Sequence, residues 1–258
     1  MRMLFWISVL PIIVIGNYIY QKDKNKEPKE LLIKLFIGGI GSCFITLFLS
    51  IILKQLVPYI SADASNLSPL KLLIHVYIGV GLIEEFSKWI IVYLVSYNNK
   101  EFDEFYDMVL YAVFVSLGFA AFENILYVFT TGPVTGIFRA ILSVPVHAWI
   151  GVFMGYYLGL AKINELNGRK SHKTKNIILS ILVPMILHGT FDYCLYLQNY
   201  FVIILYFIFV VLLYIFALKK IKSISSIERK MKYKNNYCPN CGTLVKTNYC
   251  PNCGIKND

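Results

Sequence analysis

Residues 70–97 read LKLLIHVYIGVGLIEEFSKWIIVYLVSY, an apolar run long enough to cross a membrane that nevertheless contains Glu84, Glu85 and Lys88. A hydrocarbon layer about 30 Å thick requires roughly 20 apolar residues of helix. An ionised side chain near its centre costs at least ~2.5 kcal/mol, so several are retained only where they solvate one another or take part in chemistry. This stretch therefore predicts a transmembrane helix that carries part of a buried polar site.

Further apolar runs of similar length fill most of the chain. They lie at about 4–20, 31–53, 106–129, 138–161, 177–197 and 200–218. With 57% hydrophobic and 16% charged residues among 258, and a mean hydropathy of +0.60, the apolar surface exceeds what a soluble core of this size would bury. We predict an all-α polytopic membrane protein with about seven transmembrane helices and the lipid bilayer as its solvent. The first run, which contains Pro11, is expected to be an uncleaved anchor.

The basic residues favour alternate loops, which sets the expected orientation. They follow the first, fifth and seventh runs: Lys22, Lys24, Lys26, Lys29; Lys162, Arg169, Lys170, Lys173, Lys175; and Lys219, Lys220, Lys222. The other loops are nearly bare, with Arg139 beside one of them, and the acids at 98–107 weigh little in this rule. We expect the N-terminus outside and the C-terminus in the cytoplasm. The net charge of +10 then suits anionic lipid headgroups, and no nucleic-acid partner is expected.

Two matching cysteine knuckles end the chain. Cys238-Pro-Asn-Cys241-Gly and Cys250-Pro-Asn-Cys253-Gly supply four thiolates for a closed, structural zinc site. A reducing cytoplasm favours bound metal over disulfides. We therefore divide the chain into a membrane domain (1–221, core about 70–197), a basic linker (222–236) and a small four-cysteine zinc ribbon (237–258). The ribbon could contact a cytoplasmic partner, the membrane domain, or nothing.

The charged residues of the 70–97 run are close enough to interact along one helix. Lys88 lies four residues after Glu84 and three after Glu85, so it can neutralise one of the two carboxylates. Two adjacent carboxylates in a low-dielectric site cannot both ionise cheaply, and a structural ion pair would need only one acid. The pair favours acid–base catalysis, with a purely structural network as the alternative.

Later runs add polar residues to the same interior. These are Glu123 and Asn124 in the fourth run, His147 in the fifth, and His188 and Asp192 in the sixth. Asp192 is placed to hold one ring nitrogen of His188, leaving the other to face a substrate or a metal. A helical rise of 1.5 Å per residue puts these groups in the outer half of the bilayer. Glu84 comes out deeper, which requires a tilted or raised helix, or a kink near Gly79 and Gly81.

In order and combination, these motifs resemble the PrsW family of intramembrane proteases, relatives of the CAAX-prenyl endopeptidases. The resemblance covers about residues 70–197 and rests on Glu84-Glu85-x-x-Lys88, Phe119-x3-Glu123-Asn124, His147 and His188-x3-Asp192. The CAAX enzymes typically carry arginine where this chain has Lys88, which places the chain nearer to PrsW.

The resemblance implies hydrolysis of a peptide bond in a membrane-anchored protein, such as an anti-sigma factor, on its extracytoplasmic side. On this interpretation Glu84 activates water, Glu85 shares or orients its proton, and Lys88 tunes the pair. Glu123 and Asn124 complete the site, and His147 and His188 stabilise the oxyanion or protonate the leaving amine.

Other readings of the same residues stay open. A zinc protease could use Glu123, His147 and His188, but the sequence has no His-Glu-x-x-His motif and we expect no catalytic metal. A proton-coupled transporter or channel also buries such groups, although the chain shows no halves of matching hydropathy. A membrane-anchored sensor acting through its ribbon would leave the buried acids unexplained.

Overall fold

The computed structural model describes residues 2–57, 64–197, 199–234 and 252–253, and these ranges contain helices and no strand. In chain order the elements are α1 (Arg2–Lys22), α2 (Lys29–Leu56), a 3₁₀ turn (Ala64–Asn66), α3 (Pro69–Ile74), a π-helix (His75–Leu82), α4 (Ile83–Ser96), α5 (Phe105–Thr131), α6 (Pro133–Ile141), α7 (Ser143–Leu166), α8 (Lys170–Tyr196) and α9 (Tyr200–Lys234). This architecture confirms the prediction of an all-α polytopic membrane protein.

Six helical stretches in the described ranges are long and apolar enough to cross a membrane. They are Met3–Lys22, Lys29–Leu56, Phe105–Thr131, Pro133–Leu166, Lys170–Tyr196 and Tyr200–Ile224. The predicted span 70–97 differs because it is divided into three consecutive helical segments of 6, 8 and 14 residues. Ile74 and Leu82, which connect these segments, have right-handed helical dihedral angles. The backbone is therefore helical without a break from α3 through the π-helix to α4.

The π-helix lies where the sequence offered a kink as one of three alternatives, since it includes Gly79 and Gly81. It packs directly on the backbone of α8: a Cβ on Gly81 would lie 3.1 Å from the Met185 carbonyl oxygen. On the α8 side, a Cβ on Gly189 would meet the ring of Tyr77 at 2.6 Å. Glu84 and Glu85 follow the π-helix at once, so this close approach brings them beside His188.

The centre of the bundle is formed by α5 and α7. The most apolar window of α5 is 72% buried, and that of the stretch containing α7 is 61% buried, against 22% for α1, α2 and α9. Small residues and tight contacts drive helix association in lipid, where hydrophobic burial between helices gains little. The outer helices expose apolar side chains toward lipid, and the two inner helices carry Glu123 and His147 to the interior.

The contact between α2 and α5 depends on a pair of glycines. A Cβ on Gly39 would clash with the Val115 carbonyl, and one on Gly118 would clash with the Phe36 carbonyl. Helix backbone cannot rotate aside as a side chain can, so we expect Gly39→Ala to lower the free energy of unfolding by about 1–3 kcal/mol. Gly41→Ala is the matched control, because a Cβ there would have no described atom within 4 Å. Thermal unfolding in detergent checks this, and equal stability of both variants would contradict it.

Most of the predicted C-terminal ribbon lies outside the described residues. Only Asn252 and Cys253 of it are described, so the expected zinc ligands Cys238, Cys241 and Cys250 are not placed. The backbone of α9 continues as a helix to Lys234, through most of the stretch predicted as a basic linker.

Candidate active site

Four helices bring seven of the eight predicted intramembrane site residues to one point inside the bundle. These are Glu84, Glu85 and Lys88 on α4, Glu123 on α5, His147 on α7, and His188 and Asp192 on α8. Each of these helices contributes its polar groups on the face that its neighbours cover, so the site is shielded from lipid.

Lys88 is the central cation of this cluster, and it is fully buried. Its Nζ lies 2.6 Å from Glu85 Oε1 and 3.7 Å from Glu84 Oε2. It also lies 3.3 Å from His147 Nδ1 and 4.1 Å from the centre of the Phe119 ring. A cation over an aromatic face is attracted to the ring's electrons, which adds to the two carboxylates. The ammonium is therefore compensated on several sides, as a buried charge requires.

The two adjacent glutamates have different surroundings. Glu85 is 0% exposed, and its Oε1 accepts hydrogen bonds from Lys88 and from His188 Nδ1 at 2.6 and 2.8 Å. The Glu84 side chain is 13% exposed, and its Oε2 is 3.7 Å from both Lys88 Nζ and His188 Nε2. That oxygen has no hydrogen-bond partner among the described residues. Glu85 thus holds two neighbouring side chains through one oxygen, and Glu84 is the less constrained of the two carboxylates.

His188 is fixed by a residue from another helix. Its Nδ1 lies 2.8 Å from Glu85 Oε1, within hydrogen-bond distance of that carboxylate. The sequence had assigned this role to Asp192, whose Oδ2 lies 3.5 Å from His188 Nε2, longer than an ordinary hydrogen bond. Spacing along one helix pointed to Asp192 because the contact with Glu85 joins residues that are 103 positions apart. Nε2 is left facing Glu84 and Asp192.

His147 has a neighbour at each ring nitrogen. Nε2 lies 3.0 Å from Glu123 Oε2, and Nδ1 lies 3.3 Å from Lys88 Nζ. Since the ammonium can only donate, this arrangement favours the neutral ring with its proton on Nε2. The ring stands edge-on to His188 with 5.2 Å between centroids. His147 therefore links the Lys88 group to Glu123.

Arg139 completes the cluster and was counted in the sequence only as a loop charge. Its Nη2 lies 2.8 Å from Glu123 Oε2, and its Nε donates to Asn124 Oδ1 at 3.2 Å. The guanidinium also stacks 4.2 Å over the ring of Tyr127. Asn124, the eighth predicted residue, donates its amide to the Ser8 carbonyl of α1 and so holds Arg139 rather than facing the glutamate pair. The sequence feature that could have predicted this role is the presence of a single arginine in the otherwise apolar α6.

One group of side chains at this site could hold a metal ion. Glu84, His147 and His188 each offer a ligand atom, and all three atoms lie within 4.8 Å of one another. The zinc alternative drawn from the sequence used Glu123 together with the two histidines. In the structure Glu123 is taken up by Arg139 and His147, and Glu84 stands in its place.

The charges of the cluster suit a divalent cation. Its four carboxylates face two fixed cations, Lys88 and Arg139, so with every carboxylate ionised and both histidines neutral the cluster would carry two uncompensated negative charges, which a divalent cation would balance. The Glu85 contact also matches a common metal-site arrangement, in which a ligating histidine donates its other N–H to a carboxylate. Two histidines and a carboxylate are a sufficient zinc set, so the residue types fit the ion. Binding through His147 would displace one of its two contacts, with Lys88 or with Glu123.

Comparison with known proteins gives a consistent result. A family profile described as "PrsW family intramembrane metalloprotease" matches residues 27–218. Curated proteins named Protease PrsW are similar over most of their length. The protein of Oceanobacillus iheyensis is 39% identical over 215 residues, 83% of this chain and 93% of the relative. The Bacillus subtilis protein is 34% identical over 224 residues, which are 86% of this chain and 95% of the relative. The Clostridioides difficile protein is 31% identical over 238 residues, which are 90% of this chain and 95% of the relative. No solved structure matches.

Proposed function

The chain belongs to the PrsW family of intramembrane proteases, and from this premise we propose that it hydrolyses a peptide bond in a membrane-tethered protein with Glu84 as general base. The observation that carries the proposal is the unequal environment of the two glutamates. Oε2 of each glutamate lacks a hydrogen-bond partner among the described residues. Glu85, however, is wholly buried and its Oε1 accepts hydrogen bonds from Lys88 and His188, whereas the Glu84 side chain is partly exposed and its Oε2 lies 3.7 Å from those same two residues. A general base must be held in place and yet free to take a proton.

The reaction follows from the position of Glu84. Its carboxylate takes a proton from a water molecule as the water oxygen attacks the carbonyl carbon of the substrate, giving a tetrahedral oxyanion. The bond from that carbon to nitrogen then breaks, and Glu84 returns the proton to the leaving amine. Glu85 and Lys88 remain ion-paired throughout and keep the charge beside Glu84 compensated. Burial strengthens each of these electrostatic interactions.

The two histidines take different parts in this scheme. His188 Nε2 lies 3.7 Å from Glu84 Oε2, so when protonated it can stabilise the oxyanion or relay the proton from Glu84 to the leaving amine. His147 is occupied at both nitrogens and positions Lys88 and Glu123. Asp192 lies 3.5 Å from His188 Nε2, where it favours the protonated ring during turnover.

The proposed substrate is a membrane-anchored protein, such as an anti-sigma factor, cut on its extracytoplasmic side. The distribution of basic residues among the loops supports a cytoplasmic C-terminus. With that orientation, the catalytic cluster lies in the outer half of the bilayer. In the cytoplasm, Cys238, Cys241, Cys250 and Cys253 would hold a structural zinc ion in a ribbon open to a partner protein.

Comparing new protein N-termini tests the function in cells. Membranes from cells expressing the wild type or Glu84→Gln at matched levels are compared under envelope stress. We expect a membrane-anchored protein to be cut near its outer boundary only with the wild type. Coinciding profiles would argue against hydrolysis and for a transport function.

A metal-dependent form of the same protease is the second candidate, favoured by the grouping of Glu84, His147 and His188. A zinc ion held by these three residues would acidify a bound water and polarise the substrate carbonyl. Zinc content separates the two forms in the full chain carrying Cys238→Ser and Cys250→Ser. The glutamate mechanism predicts an active enzyme without zinc. One remaining zinc per chain, lost on adding His188→Ala, would establish the metal form.

Arg139 is expected to act as a positioning residue. Arg139→Gln removes the cation beside Glu123 and the stacking on Tyr127, so His147 loses its fixed partner. Outer-shell partners of this kind are commonly worth 10–100-fold, and we expect cleavage to slow about 10-fold or more. Arg169→Gln, in the loop before α8, is the matched control. Cleavage rates of purified proteins check the effect, and equal rates for both variants would contradict it.

A further inference from the structure

A second cluster of acids lies where two loops meet, beyond the end of α4 that is opposite Glu84 and at the start of α5. One loop joins α1 to α2 and the other joins α4 to α5, and Asn25 of the first donates a hydrogen bond to Glu104 of the second. The cluster contains Asp23 and Glu27 from the first loop, and Asp103, Glu104 and Asp107 from the second loop and the first turn of α5.

These acids form two sets that share Asp107. In the first set Asp23, Glu104 and Asp107 each offer an oxygen, and the three oxygens lie within 4.8 Å of one another. The second set consists of Glu27, Asp103 and Asp107, whose three oxygens also lie within 4.8 Å of one another. Three of the five are buried, with exposures of 3% for Asp23, 6% for Glu27 and 0% for Asp107. The cluster therefore contains buried carboxylates, and the described contacts include fewer cations than carboxylates.

The buried carboxylates are held in place by backbone groups. Asp23 Oδ2 accepts the N–H of Glu27 at 3.1 Å, and Asp107 Oδ2 accepts the N–H groups of Asp103 and Glu104 at 3.1 and 2.6 Å. The other oxygen of each, Asp23 Oδ1 and Asp107 Oδ1, is buried with no hydrogen-bond partner among the described residues. A buried carboxylate oxygen without a partner costs free energy, so an arrangement with two of them points to a missing ligand.

The nearby lysine does not supply this ligand. Lys26 Nζ donates to the carbonyl oxygens of Tyr20 and Asp23 at 2.6 and 2.7 Å. Burying carboxylates without compensating cations costs free energy, and a bound cation would offset that cost.

We propose that this cluster binds a hard divalent cation, Ca²⁺ or Mg²⁺, which ties the α1–α2 loop to the first turn of α5. The ligand atoms are all oxygens, the donor set that these ions prefer over nitrogen and sulfur sites. Asp107 belongs to both sets and also caps α5, so the ion would fix the start of the helix that carries Glu123. The site is separate from the catalytic cluster and does not depend on the proposed proteolysis.

Terbium luminescence tests the site directly. Tb³⁺ substitutes for Ca²⁺ and is excited through a nearby tyrosine, and the Tyr111 hydroxyl donates to Glu27 of the cluster. The full chain carrying Glu84→Gln, which weakens the catalytic cluster as an alternative site, is purified in detergent and freed of metal. We expect saturable luminescence that Ca²⁺ or Mg²⁺ displaces, and about tenfold weaker Tb³⁺ binding in Asp23→Asn and Asp103→Asn. Glu30→Gln, an exposed acid of the neighbouring helix α2, should bind as the parent does.

A stability measurement keeps the proposal open to refutation if a variant does not fold. Ca²⁺ or Mg²⁺ should raise the unfolding temperature of the metal-free parent in a concentration-dependent manner, because an ion that binds only the folded state stabilises it. The proposal is overturned if neither ion changes that temperature. It is also overturned if Asp23→Asn and Asp103→Asn bind Tb³⁺ as tightly as the parent.

Discussion

Glu84→Gln is expected to slow substrate cleavage about 10³-fold while leaving the protein folded, since general-base catalysis commonly contributes 10²–10⁴-fold. The amide keeps the size and shape of the side chain but cannot accept the proton of the attacking water. Glu84 Oε2 has no hydrogen-bond partner among the described residues, so the substitution leaves no described donor unpaired. The rate of product formation by purified enzyme in detergent measures the effect.

Two comparisons make that result specific. Glu30→Gln removes an exposed carboxylate on α2 and should cleave at the wild-type rate. The unfolding temperature of Glu84→Gln should match that of the wild type, which separates lost chemistry from lost folding. Cleavage within a factor of ten of the wild type, by a folded Glu84→Gln protein, would show that another group is the base.

Lys88→Met is expected to destabilise the protein by about 3–5 kcal/mol, the usual cost of removing one partner of a buried ion pair. Glu85 is 0% exposed, and its closest described cation is Lys88 Nζ at 2.6 Å. Without that cation the carboxylate keeps the contact with His188 but loses its compensating charge. His147 Nδ1 loses its donor as well. Thermal unfolding in detergent measures the loss.

A second substitution tests whether the uncompensated charge of Glu85 causes this loss of stability. Adding Glu85→Gln to Lys88→Met removes the uncompensated charge and should restore part of the stability. Lys100→Met is the matched control, because its side chain is 90% exposed and pairs only at the surface with Glu101. A loss below about 1 kcal/mol in Lys88→Met, or no recovery in the double variant, would contradict the account of a buried ion pair.

The sequence predicted most of the buried polar cluster because ionised side chains are rarely retained in apolar helices. That reasoning identified the glutamate pair, Lys88, Glu123 and both histidines. It did not identify Arg139, since an arginine near the end of an apolar run is also expected to reach the membrane surface. Nor could it reveal that Glu85 holds His188, because this contact depends on how α4 and α8 pack.

Two further features lay beyond hydropathy and spacing. The π-helix at His75–Leu82 is as apolar as an ordinary membrane helix, and only its two glycines and the depth mismatch of Glu84 indicated an irregularity. The acids at 98–107 weighed little in the orientation rule, and their spacing alone predicted no site. Asp107 belongs to a cluster only because the α1–α2 loop folds against it and supplies Asp23 and Glu27.

Cleavage in oxygen-18-labelled water tests the central claim most directly. The purified protein and its candidate substrate are reconstituted into lipid vesicles, and the two product fragments are weighed by mass spectrometry. The account predicts one new N-terminus near the outer boundary of the substrate's membrane segment, labelled oxygen in the new carboxyl group, and neither product with Glu84→Gln. Undiminished cleavage by Glu84→Gln, or the absence of cleavage by the wild type, would contradict it.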